Sequence, residues 1–562
     1  MKSLPATALM IATAAASLAQ SPGDQAALPS ASVSGVVKDA VSGEPLPGYT
    51  VSTHVSARST AGIPALRRGA RLVVSTTDEQ GKYKLSDLPP GEHEIEARKG
   101  SRFADWMTRT IVLAGHDLDG IDFRIQVNGT ITGKVIDEYK EPVPNMMVWL
   151  VGREYFLGSL GYFVRGIGRT NDRGEYTLPG VPAGEPCFLL VQNVAQKLPA
   201  HSDAPLNPKL RKRVPMRTWY PNSPIPDGAS PVLLRSGERR EGLDIEVKKS
   251  PSYCADGMMT TAFGPGALDF TIEPQRPSSG VGNNFAMFVA PSSGRTGADG
   301  KFRICDLYPG TYRLTVNQRA SAANEAPAAF GVTDITISDQ DIRNITVSAS
   351  QGVPLSGEVI WDGAAPPTPV DTRVTIFLEP LLRTTYAGEN DNLRADLPGP
   401  FSIPRLFLDD YLVRTSVSGP GLYIKDVTYG GNSVHYEPLR FDGAGQATLR
   451  VIVARDGAKL SVQVNDKDGN PAPDAHVIIL PKDVGSEAML AARLVSGRTN
   501  QLGKYTSGLL PPGPYYVAAS EDPVNYTPEM IDKLWRSLNR FQEADLPPSG
   551  SVQVTLEQVN LQ

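Results

Sequence analysis

Thr296–Tyr312 reads TGADGKFRICDLYPGTY, and close copies of this stretch return along the chain. The first copy holds Asp78-Glu79-Gln80-Gly81-Lys82-Tyr83 and then Leu88-Pro89-Pro90-Gly91-Glu92-His93. The second holds Asn171-Asp172-Arg173-Gly174-Glu175-Tyr176 and then Val181-Pro182-Ala183-Gly184, and the last holds Asn500 to Tyr505 followed by Leu510-Pro511-Pro512-Gly513-Pro514-Tyr515. In each copy two glycines bracket the motif at one constant spacing, Gly300 and Gly310 in the quoted stretch. An Asp/Asn turn closed by a glycine, a short Tyr/Phe-x-Leu/Ile alternation and a Pro-Gly turn describe a strand held between two turns. That pattern is a statement about scaffold.

Working outward, each copy sits late in a longer unit whose beginning also recurs. Val33-Ser34-Gly35-Val36-Val37-Lys38-Asp39 with Glu44-Pro45-Leu46-Pro47 matches Ile131-Thr132-Gly133-Lys134-Val135-Ile136-Asp137 with Glu141-Pro142-Val143-Pro144. Weaker openings stand at Leu355-Ser356-Gly357-Glu358-Val359 and Leu460-Ser461-Val462-Gln463-Val464. The expected units are 31–126, 127–250, 251–350, 351–456 and 457–562. Each is about a hundred residues, the size of one small antiparallel sandwich.

The opening G-x-V-x-D with its following Pro-x-Pro, joined to the later D-x-x-G-x-Y/F and L-x-P-G-x-Y, resembles the carboxypeptidase regulatory-like domain. That resemblance implies a seven-strand transthyretin-like sandwich, grouped with carbohydrate-binding-like folds and without catalytic function of its own. It covers most of the chain after residue 30. In the fourth unit Pro398-Gly399-Pro400-Phe401-Ser402-Ile403 keeps the turn and alternation, while Asp409-Asp410-Tyr411 replaces the second glycine. The expected fold is therefore all-β, a tandem array of about five transthyretin-like antiparallel β-sandwich domains with one helix inserted in the last.

Composition agrees. A chain of 562 residues with 53 Gly and 48 Pro is too long for one core and rich in turns. A net charge of −5 lacks the basic surface that phosphate backbones require, so nucleic acid is not expected as a partner. Lys2, the apolar run from Leu4 to Ala16 and the small residues before Gln20 read as a secretory signal peptide, 1–19, cut after Ala19. No later stretch has the length of an apolar membrane span. The mature protein is expected to be exported, to the periplasm, cell surface or outside.

Three features outside the repeats bear on function. Ser56 to Arg71 is an arginine-bearing insertion, expected as a solvated loop. Trp149 to Ile167 alternates glycine with Tyr155, Phe156, Tyr162 and Phe163, as two aromatic strands about a turn would. Lys209 to Arg217 is the most basic run and precedes Trp219-Tyr220-Pro221, inside a proline-rich excursion from His201 to Pro231 expected to be irregular. Sugar rings stack on planar aromatic faces beside hydrogen-bonding groups, so Trp149, Tyr155, Tyr162, Trp219, Tyr220 and Arg217 are the candidate ligand residues. On that reading Trp219→Ala weakens a polysaccharide by about 1–3 kcal/mol.

Thr527 as N-cap, Pro528 and Glu529, followed by Ile531, Leu534, Trp535, Leu538 and Phe541 at helical spacing, predict the helix near 528–542. Cys254 on a first strand and Cys305 in the quoted stretch are expected to pair, leaving Cys187 free; a bridge across about fifty residues contributes about 4 kcal/mol at most.

Signatures of catalysis dissolve into the repeat. His93 and Glu96 have the spacing of a zinc pair, but His93 holds the place of Tyr312 and Tyr515 in a strand, where the two side chains face opposite ways. Asp466-Lys467-Asp468-Gly469 lacks the acid that would complete a calcium loop. Lys38 and Lys134 on first strands have no assignable partners for an isopeptide bond. The chain is expected to be no enzyme, to need no cofactor, and to act as a carbohydrate-binding module; the alternative is an envelope scaffold that binds protein partners.

Overall fold

The computed structural model describes residues 29–55, 71–100, 105–156, 158–193, 197–198, 211–262, 264–274, 292–318, 329–366, 372–381, 392–443 and 447–561. The proposed leader and the arginine insertion up to residue 70 lie outside the described residues, as does the excursion from His201 to residue 210.

The first strand of each repeat is the centre of one sheet. It pairs antiparallel with the strand that follows the glycine turn: Ala31–Asp39 with Lys82–Leu88, Gly129–Asp137 with Glu175–Val181, Tyr253–Thr261 with Lys301–Leu307, Val353–Trp361 with Gly399–Leu406, and Lys459–Asn465 with Lys504–Thr506. On its other edge it pairs parallel with the repeat's closing segment, which for the first and last repeats is Phe123–Ile125 and Ser551–Glu557. A parallel neighbour cannot come from a tight turn, so the intervening chain crosses over and builds the second sheet. In the first repeat that second sheet runs Arg71–Thr76, Thr50–Val55, Gly91–Lys99, Asp105–Leu113. Between the sheets lie Val33, Val37, Val51, Leu85, Ile95 and Phe123, all fully buried, and four further cores of the same kind follow along the chain.

The recurring residues have local physical jobs. Gly81, Gly174, Gly300 and Gly503 take φ between 69° and 76°. A Cβ at any of them would collide with the carbonyl of Val37, Val135, Met259 or Val464 on the first strand. The same glycines accept from the amides of those four residues, at 2.8–2.9 Å, which ties turn to strand. Both the left-handed backbone and the close approach demand glycine. His93, Tyr312, Tyr411 and Tyr515 share a second job: each ring reaches back to the carbonyl four residues earlier, at 2.7–2.8 Å. Tyr411 does this although Asp409 has replaced the fourth repeat's second glycine.

The last sandwich carries two helices where one was expected. α2, Pro528–Ser537, is capped by Thr527, whose side chain accepts from the Met530 amide at 3.3 Å. It passes through a single 3-10 turn, Leu538–Arg540, into a strand that begins at Gln542. α1, Glu487–Arg493, is capped by Ser486. At seven residues it is shorter than a helix that periodicity alone reveals, and it is held by tertiary packing. Both helices lie on the outer face of the sheet containing His476–Pro481, a strand buried at every residue. Val477 and Ile479 enter the sandwich core while Ile478 and Leu480 meet Leu490, Ile531 and Leu534. No helix among the described residues is long and apolar enough to cross a membrane.

The array is not an open string. The Gln501 side chain reaches the outer edge of the first sandwich, accepting from the Val112 amide at 3.0 Å and donating to its carbonyl at 2.7 Å. The amide thereby substitutes for a neighbouring strand on an otherwise open edge. The Tyr155 amide donates to the Tyr526 carbonyl at 2.7 Å, docking the second sandwich's hairpin on the last. Gly158, at the tip of that hairpin with φ of 79°, leaves no room for a side chain beside Ala488 of α1.

Candidate ligand site

Strands Met146–Phe156, Ser159–Arg169 and Cys187–Asn193 lie side by side in the second sandwich. Alternation sends Val148 and Leu150 into the main core and Trp149 and Val151 to the other face. That face is covered by the chain itself. Trp149 and Trp219 are 4% and 2% exposed and pack with Val151, Val164 and Leu190. The Tyr162 ring leans on Trp219 at 5.3 Å. The expectation that these aromatics are spare to core packing does not hold for the two tryptophans, because a sheet apolar on both faces needs two covers. Of the other candidates, Tyr220 packs against the main core, Tyr155 joins the helical cluster of the last sandwich, and Arg217 lies against Tyr308 of the third. The structure thus brings Trp149, Tyr162 and Trp219 together and sends the rest to three different places.

The basic run is likewise absorbed. Arg211 stacks 4.5 Å over Tyr253 and pairs with Asp341 at 2.8 Å, Lys212 pairs with Asp306 at 3.1 Å, and Arg213 pairs with Glu138 at 2.8 Å. Burial opposes ionisation of Asp341, yet Arg211 and the Cys254 amide hold its carboxyl below the usual range. Two short strands complete the tie: Arg213–Pro215 pairs with Lys249–Pro251, and Lys197–Leu198 adds to the edge of the third sandwich beside Ser292–Arg295. The described parts of the excursion are therefore a clamp between neighbouring sandwiches, where an irregular solvated loop was expected. Its charges find partners only in the folded array, which local sequence does not display.

Other chemical candidates are accounted for locally. His93 is buried with Nε2 2.7 Å from the Pro89 carbonyl, and Glu96 pairs with Arg98. Lys38 and Lys134 make ion pairs with Asp122 and Glu175 at 3.1 and 3.5 Å. Cys254 and Cys305 are bonded between the paired strands Tyr253–Thr261 and Lys301–Leu307 of the third sandwich, and Cys187 is buried and free.

Where the first, second and last sandwiches meet, a cleft of about 1150 Å³ with a mixed polar and apolar lining opens, and no stretch of sequence announced it. Arg109, 6% exposed, donates to the Asp122 carbonyl at 2.5 Å, and its Nε lies 2.7 Å from Asp474 of the last sandwich, close as an ion pair though out of line for a hydrogen bond. Burial pushes the Asp474 carboxyl up against the pull of Arg109 and Arg498. Burial also lowers Arg498, with Asp474 opposing and Arg109 adding to the effect. His476 falls to about 4 through burial and the nearby Arg498 charge. From the second sandwich come Arg165, paired with Glu154 and 3.8 Å from Glu185, and Glu185 itself, which accepts from Asn525 at 3.5 Å. Gln126, Asn128, His476 and Glu521 also line the cleft, and among the described residues no Phe, Tyr or Trp does.

Residues 32–126 match the carboxypeptidase regulatory-like domain family. No curated protein matches the chain. Among solved structures, the TIE protein of Bacillus anthracis is 12% identical, covering 92% of this chain and 69% of its own, with a TM-score of 0.16. The minor pilin GBS52 of Streptococcus agalactiae is 15% identical over 39% of this chain and 96% of its own, with a TM-score of 0.23. Two B repeats of the Staphylococcus aureus collagen-binding protein are 10% identical over 70% of this chain and 93% of theirs, with a TM-score of 0.14. Superpositions this loose carry no functional argument. The chain is a tandem β-sandwich repeat protein whose first sandwich matches the carboxypeptidase regulatory-like domain family.

Proposed function

We propose that this protein is an exported, non-catalytic binding module of the cell envelope, that its ligand is carbohydrate, and that the ligand lies in the cleft between the first, second and last sandwiches. We propose the same division into units at 31–126, 127–250, 251–350, 351–456 and 457–562. One observation carries the reading: Arg, Asn, Gln, Asp and Glu side chains contributed by three separate sandwiches line the cleft, set among apolar residues such as Met107, Ile125 and Val524. Such a wall offers donors and acceptors in number, which is what a hydroxyl-rich ligand needs. Full-length protein on a glycan array is expected to retain sugars, and Asn525→Ala with Glu185→Ala is expected to release them while Tyr162→Ala leaves them bound. An array that retains nothing overturns the reading.

A second reading is favoured by a different observation. The aromatics and the basic run both serve internal packing, as an envelope scaffold with protein partners would use them. An empty array, together with a defined envelope protein cross-linked to the body at one site, would establish that alternative.

A further inference from the structure

Arg498 ends the edge strand Val495–Arg498 of the last sandwich and lines the cleft half-buried. Among the described residues its side chain makes no ion pair and no hydrogen bond, and the Asp474 carboxylate is the opposite charge that acts on it. Of the surrounding charges, Asp474 faces both Arg109 and Arg498, Arg165 is paired with Glu154 and Glu185, and Asp122 is paired with Lys38. Arg109 and Arg498 therefore share the one Asp474 carboxylate, and a guanidinium taken partly out of water without a partner of its own is costly. Its planar fork matches a carboxylate through two parallel N–H···O bonds.

We propose that the cleft takes an acidic saccharide whose carboxylate sits against Arg498 and whose hydroxyls are shared among Glu185, Glu521, Gln126 and Asn525. The proposal rests on the carbohydrate reading above and adds the charge of the ligand. The wall itself argues for a sugar acid over an acidic peptide. Glu185 and Glu521 accept from hydroxyls, which a sugar acid carries on every ring beside its carboxylate and an acidic peptide lacks. The volume, about 1150 Å³, exceeds the usual small-ligand range of roughly 300–1,000 Å³, which suits a few linked sugar units better than one. With no Phe, Tyr or Trp among the described lining residues, recognition falls mainly to charge and hydrogen bonds.

The experiment is calorimetric titration of the full exported chain with trisaccharides of galacturonate and of glucuronate, their neutral methyl esters, and triglutamate. One of the acids is expected to bind at least about tenfold more tightly than its ester, the scale of one charge-assisted pair. Arg498→Gln is expected to remove that preference and Arg498→Lys to keep part of it, with thermal unfolding confirming that both variants fold. Because the acid-to-ester ratio is read on the unaltered chain, a variant that fails to fold does not spoil the test. Equal binding of acid and ester, or tighter binding of triglutamate, overturns the proposal and leaves carbohydrate binding standing in the first case only. Binding of no saccharide at all sinks both.

Discussion

Trp219 shows how burial redirects the meaning of a residue. Seen in the sequence, an aromatic pair beside a basic run is a sugar platform; in the fold, Trp219 is enclosed by Trp149, Val164 and Leu190. Trp219→Ala is therefore expected to cost about 3–5 kcal/mol of stability by leaving a large cavity, read as a lower urea midpoint for the full chain. A loss of ligand affinity with an unchanged midpoint would contradict it. His476 makes a second residue-scale case. Its folded value of about 4 lies below the ordinary 6.5, because burial and Arg498 disfavour the imidazolium. The unfolded chain thus binds its proton first as pH falls, so stability present above pH 6.5 drains away between about 6.5 and 4. Urea midpoints at pH 7 and pH 5 should differ in that direction, and His476→Gln should narrow the difference. Asp474, raised by burial, works in the opposite sense at the acid end of the range.

At the scale of elements, the turn of the quoted motif is where conformation and contact coincide. Gly174 combines a φ of 70° with a backbone carbonyl and the Pro142 side chain packed against it, whereas Gly237, with a φ of 66°, has open space beside it. Gly174→Ala is expected to lose more than Gly237→Ala, by about 1–3 kcal/mol, since both suffer the left-handed strain and only the first adds a collision. Chemical denaturation of the two variants would show the gap, and equal losses would mean that strain alone matters. Helices α1 and α2 make a related point about the last sandwich. They cover the second face of the strand His476–Pro481, whose run of apolar residues leaves no polar side for water.

For the whole molecule, docking of the last sandwich onto the first and second makes the cleft. Gln501 is the smallest handle on that arrangement, because its amide holds both the N–H and the C=O of Val112. Gln501→Ala is expected to speed hydrogen exchange at the Val112 amide while leaving exchange within the first sandwich's core strands unchanged. Slowed or unaltered exchange at Val112 would show that the edge is protected in another way. The third and fourth sandwiches meet at the Phe330–Phe407 contact, 5.4 Å between ring centres, and Arg414 of the fourth reaches back 5.6 Å over Phe156 of the second. Every sandwich therefore touches more than its neighbour's linker, and the spacing of the walls around the cleft is set by the assembly.

The sequence by itself determined the repeat, the sandwich and the placing of its strands. Those depend on interactions a few residues long: a glycine that must take positive φ, an aromatic that reaches a carbonyl four residues back, an alternation of period two. The capping of α2 was legible for the same reason, since Thr527, Pro528 and Glu529 act on adjacent backbone. What the sequence did not carry is which side chains would be spent on contacts between sandwiches. Trp149, Trp219 and Arg211 look available until the second face of a sheet and the wall of a neighbouring sandwich are in position. Arg109, Asp474 and Arg498 look ordinary, hundreds of positions apart in two of the three pairings, and only the return of the last sandwich sets them around one cleft. Local backbone rules fixed the units; desolvation and ion pairing between distant surfaces, which exist only once the units are docked, decided the candidate site.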